Sequence, residues 1–311
     1  MPMPLHDPSP GQRLDFVLPK FMRVAWVDDR LRAVWEPRLF TMAAAWREIE
    51  RLTVVEGVRA CAIQWLAQDE LDSLEPFLTR HGVRAVSLAS NPRASRAGLV
   101  HRVAIGPRRE VSKLRAAWMR GDDETVGQCL GYPACCRTFF HRVVVEEGWL
   151  DPTWPRAREM GVSDAAAPRI DLVCNPECNL FWEPLGIRPT SHLACSHACE
   201  ASRAAASSFA AIGVKAGLSA QLDLVAEVLH WPVEWTALHG IAETKTPIVK
   251  LSTRTDATPA KLTLRYLGDR YPSNGARGGG FPYAKPRETK SNKLKITPAP
   301  EGAIHAADVP R

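Results

Sequence analysis

Clustered cysteines are the feature that most restricts how this chain can fold. Seven of its eight cysteines fall between residues 129 and 199 of a 311-residue sequence. In chain order they are Cys129, Cys135, Cys136, Cys174, Cys178, Cys195 and Cys199, and the eighth is Cys61. In a reducing compartment such a cluster indicates metal ligands or redox groups rather than structural disulfides. We therefore expect the fold to bring several of these sulfurs together.

The expected location is the cytoplasm. Prolines and polar residues interrupt the first thirteen positions, MPMPLHDPSPGQR, where a signal peptide would need an apolar segment. No apolar run approaches the ~20 residues that cross a bilayer. We expect reduced thiols and no membrane partner.

Four of the cysteines lie at two predicted helix starts. Cys135 and Cys136 follow Pro133, which suits the first position of a helix. Cys195 and Cys199 are four residues apart at the start of a second predicted helix, so they share one face. Free N–H groups and the helix dipole at such a terminus favour the thiolate form that binds metals. The pattern predicts a centre held by these four sulfurs.

The other cysteines are alternatives or core residues. Adjacent side chains on a helix point about 100° apart, so Cys174 or Cys178 can replace Cys136 in the set. Cys129 and Cys61 are expected to pack in the interior, because free cysteine is often buried.

The occupant is interpreted as an iron–sulfur cluster, [4Fe–4S], ahead of zinc. Structural zinc usually stabilises a small domain that lacks a core, whereas hydrophobic residues make up 45 % of this chain. A thiol–disulfide redox switch, using the 135/136 or the 195/199 pair, is a further alternative. The cysteine spacings match neither the paired C-x₂-C of zinc ribbons nor the ferredoxin run.

A few further side chains are candidates for chemistry near such a centre. His192 precedes the second cysteine pair and Ser196 lies within it, and both can donate hydrogen bonds to a bound cofactor. Arg277, in a glycine-rich stretch, can bind an anion. His239 and Glu243 are weak candidates for acid–base catalysis, the alternative being charges on a surface hairpin.

The pattern of apolar residues predicts a mixed α/β (α+β) fold. Short β-branched runs alternate with helical periodicity in residues 14–108, which is typical of βαβ units. Predicted helices carry the cysteines in 109–230, and 231–283 reads as a small antiparallel β unit. Residues 1–13 are expected to be a loose leader and 284–311 a disordered basic tail.

The net charge restricts the kind of partner, and the absence of known motifs restricts the enzyme class. The net charge is +6 and the pI about 9.0, compatible with a small anionic molecule, an electron donor or, more weakly, nucleic acid. No phosphate loop, nucleophile elbow, HExxH helix or CxxxCxxC signature is present. These absences exclude the most easily recognised enzyme classes.

Two motifs, GYPxCCxxF from Gly131 and HxxCSxxCxxS from His192, occur together within residues 110–215. They resemble the motifs of an uncharacterised prokaryotic family, a domain of unknown function. One difference is Ala194, where the family pattern has proline. The resemblance implies no activity, but it implies that the functional set is Cys135, Cys136, Cys195 and Cys199.

These observations together predict a cytoplasmic cysteine-ligated metalloprotein. The first interpretation is an iron–sulfur enzyme for redox chemistry or sulfur transfer on a small anionic substrate. The second is a zinc-stabilised regulatory module that binds nucleic acid or a protein partner. The third is a thiol redox sensor.

Overall fold

The structure is a computed structural model that describes residues 13–14, 16–88, 93–95, 98–160, 168–172, 174–257 and 261–272. Residues 1–12 of the expected leader, the expected tail 284–311 and Arg277 lie outside the described residues.

Helices and strands alternate over residues 22–87, helices predominate from residue 108 to 229, and strands follow up to residue 266, much as the sequence pattern predicts. The α-helices of the described residues are α1 (Asp29–Val55), α2 (Gln68–Arg80), α3 (Arg108–Arg120), α4 (Asp123–Cys129), α5 (Ala134–Phe140), α6 (Thr153–Arg158), α7 (Glu200–Lys215) and α8 (Ser219–Leu229). The strands are β1 (Met22–Trp26), β2 (Ala62–Ala67), β3 (Arg84–Ser87), β4 (Arg93–Ser95), β5 (Gly98–Gly106), β6 (Arg169–Leu172), β7 (Val233–Leu238), β8 (Ile241–Lys245), β9 (Val249–Arg254) and β10 (Leu262–Tyr266). The mixed α+β class is confirmed.

The larger sheet joins segments from distant parts of the chain. Within the described residues it has six strands in the order β1-β9-β8-β7-β10-β6. The antiparallel unit predicted near the C-terminus forms its centre, β7 to β10. One edge is β1 from near the N-terminus, and the other is β6, which runs parallel to β10.

The smaller sheet contains the βαβ unit expected in the N-terminal region, with one strand inserted. Helix α2 connects β2 to β3, but β5 lies between these strands and pairs antiparallel with both. Strands β2 and β3 therefore run parallel to each other without touching. Cys61 and Cys129 pack together in the core on one face of this sheet, as expected for buried thiols.

Helix α1 links the two sheets because its apolar stripe is long enough to reach both. Asp28 caps its first turn by accepting a 2.7 Å hydrogen bond from the Leu31 N–H. Trp35 packs in the core of the large sheet, 4.6 Å from the Trp231 ring in an edge-to-face contact. Val54, near the other end of the helix, packs under the small sheet.

The cysteine-bearing segments lie beside this framework. Helix α5 runs directly into a π-helix, His141–Glu146, and the segment from 174 returns through short 3₁₀ turns to α7. Helix α7 packs against α1, so the start of α7 has a fixed position. Within the described ranges, no helix combines the length and apolar character needed to cross a lipid bilayer.

Candidate metal centre

Four cysteine sulfurs converge although two of the residues lie more than fifty positions from the others. The Sγ atoms of Cys135, Cys136, Cys195 and Cys199 all lie within 4.8 Å of one another. The Cys199 Sγ is 3.8 Å from that of Cys135 and 3.7 Å from that of Cys136, and the adjacent pair is 3.9 Å apart. These are the four ligands that the sequence predicts, and they can hold a metal ion.

The start of α5 explains how adjacent cysteines reach one point. Pro133 is the N-cap residue, one position earlier than expected, so Cys135 and Cys136 occupy the first turn. Side chains of a helix tilt toward its N-terminus. A point beyond the end of the helix is therefore accessible to both sulfurs, and the first turn needs no distortion.

The second cysteine pair, Cys195 and Cys199, lies in a different local structure from the one predicted. Cys195 was expected at the start of a helix, but it lies in the irregular segment before α7, which begins at Glu200. Cys199 is the N-cap residue of α7, and its Sγ accepts a 3.4 Å hydrogen bond from the Ser202 N–H. A cysteine can take the N-cap position because a thiolate, like a hydroxyl, satisfies a free N–H of the first turn.

Two long-range contacts fix the positions of the segments that carry the two cysteine pairs. The ring of Tyr132 packs on the ring of His192, with centroids 5.3 Å apart. The guanidinium of Arg59 donates to the Ser191 hydroxyl over 2.7 Å. Gly131 has a φ of 70°, and a Cβ there would lie 2.9 Å from the Arg59 Cβ, so the turn before α5 requires glycine.

Ser202 connects the sulfurs to a histidine. Its buried hydroxyl lies 3.3 Å from the Cys136 Sγ and 2.8 Å from the His192 Nε2. Burial and the nearby Arg59 lower the pKa of His192 to about 4, so the imidazole is neutral at physiological pH. His192 thus contacts the centre through Ser202. Ser202 is the last residue of the HxxCSxxCxxS motif, but the sequence alone assigned it no role.

The thiols differ in acidity because their surroundings differ. Burial raises the pKa of Cys136 to about 12 and that of Cys195 well above its ordinary value. Burial also raises the pKa of Cys199, but hydrogen bonds from Ser202, Cys195 and Cys136 outweigh it and bring the pKa down to about 7. Cys199 is the thiol most ready to bind a cation, and a bound cation would deprotonate its neighbours.

Cys174 and Cys178 line the site without belonging to the sulfur quartet. Both pack in the same small core cluster as Cys136 and Cys199. The Cys178 thiol donates to the Cys199 carbonyl over 3.5 Å. Burial raises the pKa of Cys174 to about 12 and that of Cys178 to about 11, so both are protonated.

A buried arginine lies behind these residues. Arg156 donates through Nη2 to the Cys178 carbonyl at 2.9 Å and to the His197 Nδ1 at 2.6 Å. No carboxylate of the described residues forms an ion pair with it, and its Nε has no hydrogen-bond partner there. Its positive charge is therefore buried without a carboxylate at ion-pair distance in the described part of the chain, although Glu183 acts on it from further away. Nothing in the cysteine spacing pointed to this residue.

The remaining predicted candidates stand outside the sulfur quartet. The Ser196 hydroxyl accepts from the Ala198 N–H over 3.3 Å, which makes it a turn residue beside the site. His239 and Gly240 both have positive φ and close the two-residue β7–β8 hairpin. Glu243 pairs with Lys250 at 2.5 Å. Both therefore have structural roles in the large sheet, and Arg277 falls outside the described residues.

No family model, no curated protein and no solved structure matches this chain. The resemblance to a prokaryotic family of unknown function therefore stays a prediction, and the function has to be argued from the geometry.

Proposed function

We propose that this protein binds a single metal ion, zinc, among the sulfurs of Cys135, Cys136, Cys195 and Cys199. The sulfur spacing carries the proposal. A zinc–sulfur bond of ~2.3 Å in tetrahedral geometry implies sulfur–sulfur distances of ~3.8 Å. The three distances among Cys135, Cys136 and Cys199 are 3.7, 3.8 and 3.9 Å, which supports a site of the size that one tetrahedral ion requires.

An iron–sulfur cluster is the competing occupant, because four cysteines are also the ligand set of [4Fe–4S]. In such a cluster each thiolate binds a different iron atom, so the sulfurs stand further apart than around one ion. In this structure every pair of the four sulfurs lies within 4.8 Å, and this short spacing supports a single ion. If a cluster is bound instead, the function becomes redox chemistry or sulfur transfer on a small anionic substrate with an electron donor.

Metal analysis of anaerobically purified protein tests this proposal. We expect about one zinc per chain, no acid-labile sulfide and no colour. Cys195→Ala is expected to lose most of the metal because three thiolates bind zinc far more weakly than four. Cys178→Ala is the matched control, since it removes a neighbouring buried sulfur outside the quartet, and it is expected to retain the metal.

Two results would contradict the zinc proposal. Brown protein that absorbs near ~400 nm, with iron and sulfide in similar amounts, would identify a cluster. Metal-free protein whose mobility on a non-reducing gel changes with oxidant would identify a thiol redox sensor. A Cys195→Ala variant with full metal content would remove that residue from the site.

Helix α3 favours nucleic acid as a second candidate partner. Its buried side turns Val111 and Leu114 toward the small sheet. Its exposed side carries five basic residues, which are Arg108, Arg109, Lys113, Arg115 and Arg120. Beside it the Arg102 guanidinium lies between the rings of Trp65 and Trp118, at 4.5 and 5.1 Å from their centroids. Basic side chains next to aromatic rings suit phosphates and unstacked bases.

Fluorescence anisotropy with a labelled single-stranded oligonucleotide tests this second candidate. The triple variant Arg108→Glu, Lys113→Glu, Arg115→Glu is expected to bind at least about tenfold more weakly, and wild-type affinity is expected to fall steeply with salt. The control reverses three exposed arginines outside α3, Arg30, Arg169 and Arg270. Equal losses in both variants would show a general charge effect and remove α3 as a specific surface.

A further inference from the structure

One of the four sulfurs differs from the others in its access to solvent. Cys136 and Cys199 are buried, with 2 % and 7 % of their surface exposed, and Cys195 is half-buried. Cys135 is exposed. A reagent approaching the centre from solvent therefore meets the Cys135 sulfur first.

Within the part of the chain that the structure describes, the Cys135 sulfur also accepts no hydrogen bond from an N–H or O–H group that would stabilise a thiolate. Cys199 accepts from the Ser202 N–H, and Cys136 interacts with the Ser202 hydroxyl and the Cys195 backbone. Among the described residues, the polar contacts of the Cys135 Sγ are the sulfurs of Cys136 and Cys199. Hydrogen bonds to a thiolate stabilise its charge and lower its nucleophilicity. With an ion bound, Cys135 keeps a less stabilised negative charge than Cys136 or Cys199, and it is more exposed than Cys195.

We propose that the Cys135 sulfur is the reactive nucleophile of this centre and accepts an alkyl group from a soft carbon electrophile. This inference rests on the proposed single-ion site, in which Cys135 binds zinc as a thiolate. The substrate class is a primary alkyl group, such as methyl, on a good leaving group.

The step balances without an oxidant or a proton donor. A lone pair of the Cys135 thiolate forms the sulfur–carbon bond while the bond from carbon to the leaving group breaks. The leaving group departs with that electron pair. The product is a neutral thioether, a weaker metal ligand than a thiolate, so alkylation removes one negative charge from the centre and loosens the metal.

Limited alkylation of zinc-loaded protein tests the assignment. Zinc content is measured first, and the protein is then treated with substoichiometric iodoacetamide and analysed by peptide mass mapping. We expect label on Cys135 at least tenfold above each other cysteine, and a slow release of zinc followed with a chromogenic chelator. Cys135→Ser is expected to lose the fast reaction. Cys174→Ser, which removes a half-buried thiol outside the quartet, is expected to react like wild type.

The two proposals fail in different ways. Protein that takes up no metal contradicts the zinc site itself. Zinc-loaded protein that is labelled first at Cys195 or Cys174, or equally at all cysteines, contradicts only the assignment of Cys135. Labelling of Cys135 that begins only after a chelator has removed the zinc also overturns it, because the nucleophile would then be a free thiol.

Discussion

Replacing Cys199 with alanine is expected to abolish metal binding and the stabilisation that the metal supplies. Cys199 lies within 3.8 Å of two other sulfurs, and hydrogen bonds lower its thiol pKa to about 7. A ligand that binds only the folded chain adds about 4 kcal/mol at a thousand times its Kd. Thermal unfolding with zinc and with chelator measures this. Wild type should unfold at a lower temperature with chelator, and the variant should unfold at one temperature in both.

The control for this prediction is Cys178→Ala. Cys178 is fully buried beside the same site, so its loss costs packing in the same region without removing a ligand. We expect it to unfold at a lower temperature than wild type and to keep the difference between zinc and chelator. A Cys199→Ala protein that zinc still stabilises by the wild-type amount would exclude Cys199 as a ligand.

Replacing Arg156 with methionine is expected to weaken zinc binding about 10- to 100-fold, the usual effect of losing a group just outside the ligand shell. Four thiolates around a divalent ion leave a net double negative charge. Arg156 is a buried cation without an ion-pair partner among the described residues. The negative charges that act on it are those of the Cys174, Cys178 and Cys195 thiolates and, from beyond ion-pair distance, that of Glu183. The arginine therefore offsets part of the negative charge of the loaded centre. Competition titration with a chelator measures the affinity.

The metal-free protein should respond much less to the same substitution. Methionine loses the hydrogen bonds to Cys178 and His197, but it also removes a buried charge that has no ion-pair partner among the described residues. These opposing effects are expected to leave the free energy of unfolding within about 1 kcal/mol of wild type. Equal zinc affinity in wild type and Arg156→Met would show that the arginine has a packing role only.

Arg188→Met is the matched control for charge. Arg188 is half-buried, its Nη1 lies 3.5 Å from the Glu183 carboxylate, and no thiol contributes to the shift in its pKa. Its loss leaves Glu183 without this partner, so we expect lower stability and unchanged zinc affinity.

Most of the local structure follows from residue pattern alone. The helices around the cysteines were predicted because Pro133 and the alanine-rich run after Cys199 favour helix over strand. The helical spacing of apolar residues is clear over 38–52. Helix α1 begins nine residues earlier, because the Asp28 cap and the burial of Trp35 compensate for Pro37 within the helix. Strand β6 was missed, since four residues in an irregular stretch form a strand only by pairing with β10.

By itself, the sequence determined which residue types are available at the site and which four cysteines are the best candidates, because helix starts and motif spacing are local properties. Only the tertiary structure decided that these sulfurs meet, that Cys174 and Cys178 stay outside the quartet, and that Ser202 and Arg156 stand next to the centre. The physical reason is distance along the chain. The contact between Arg59 and Ser191, which holds the second cysteine segment in place, joins residues 132 positions apart, and no local pattern encodes such a pairing.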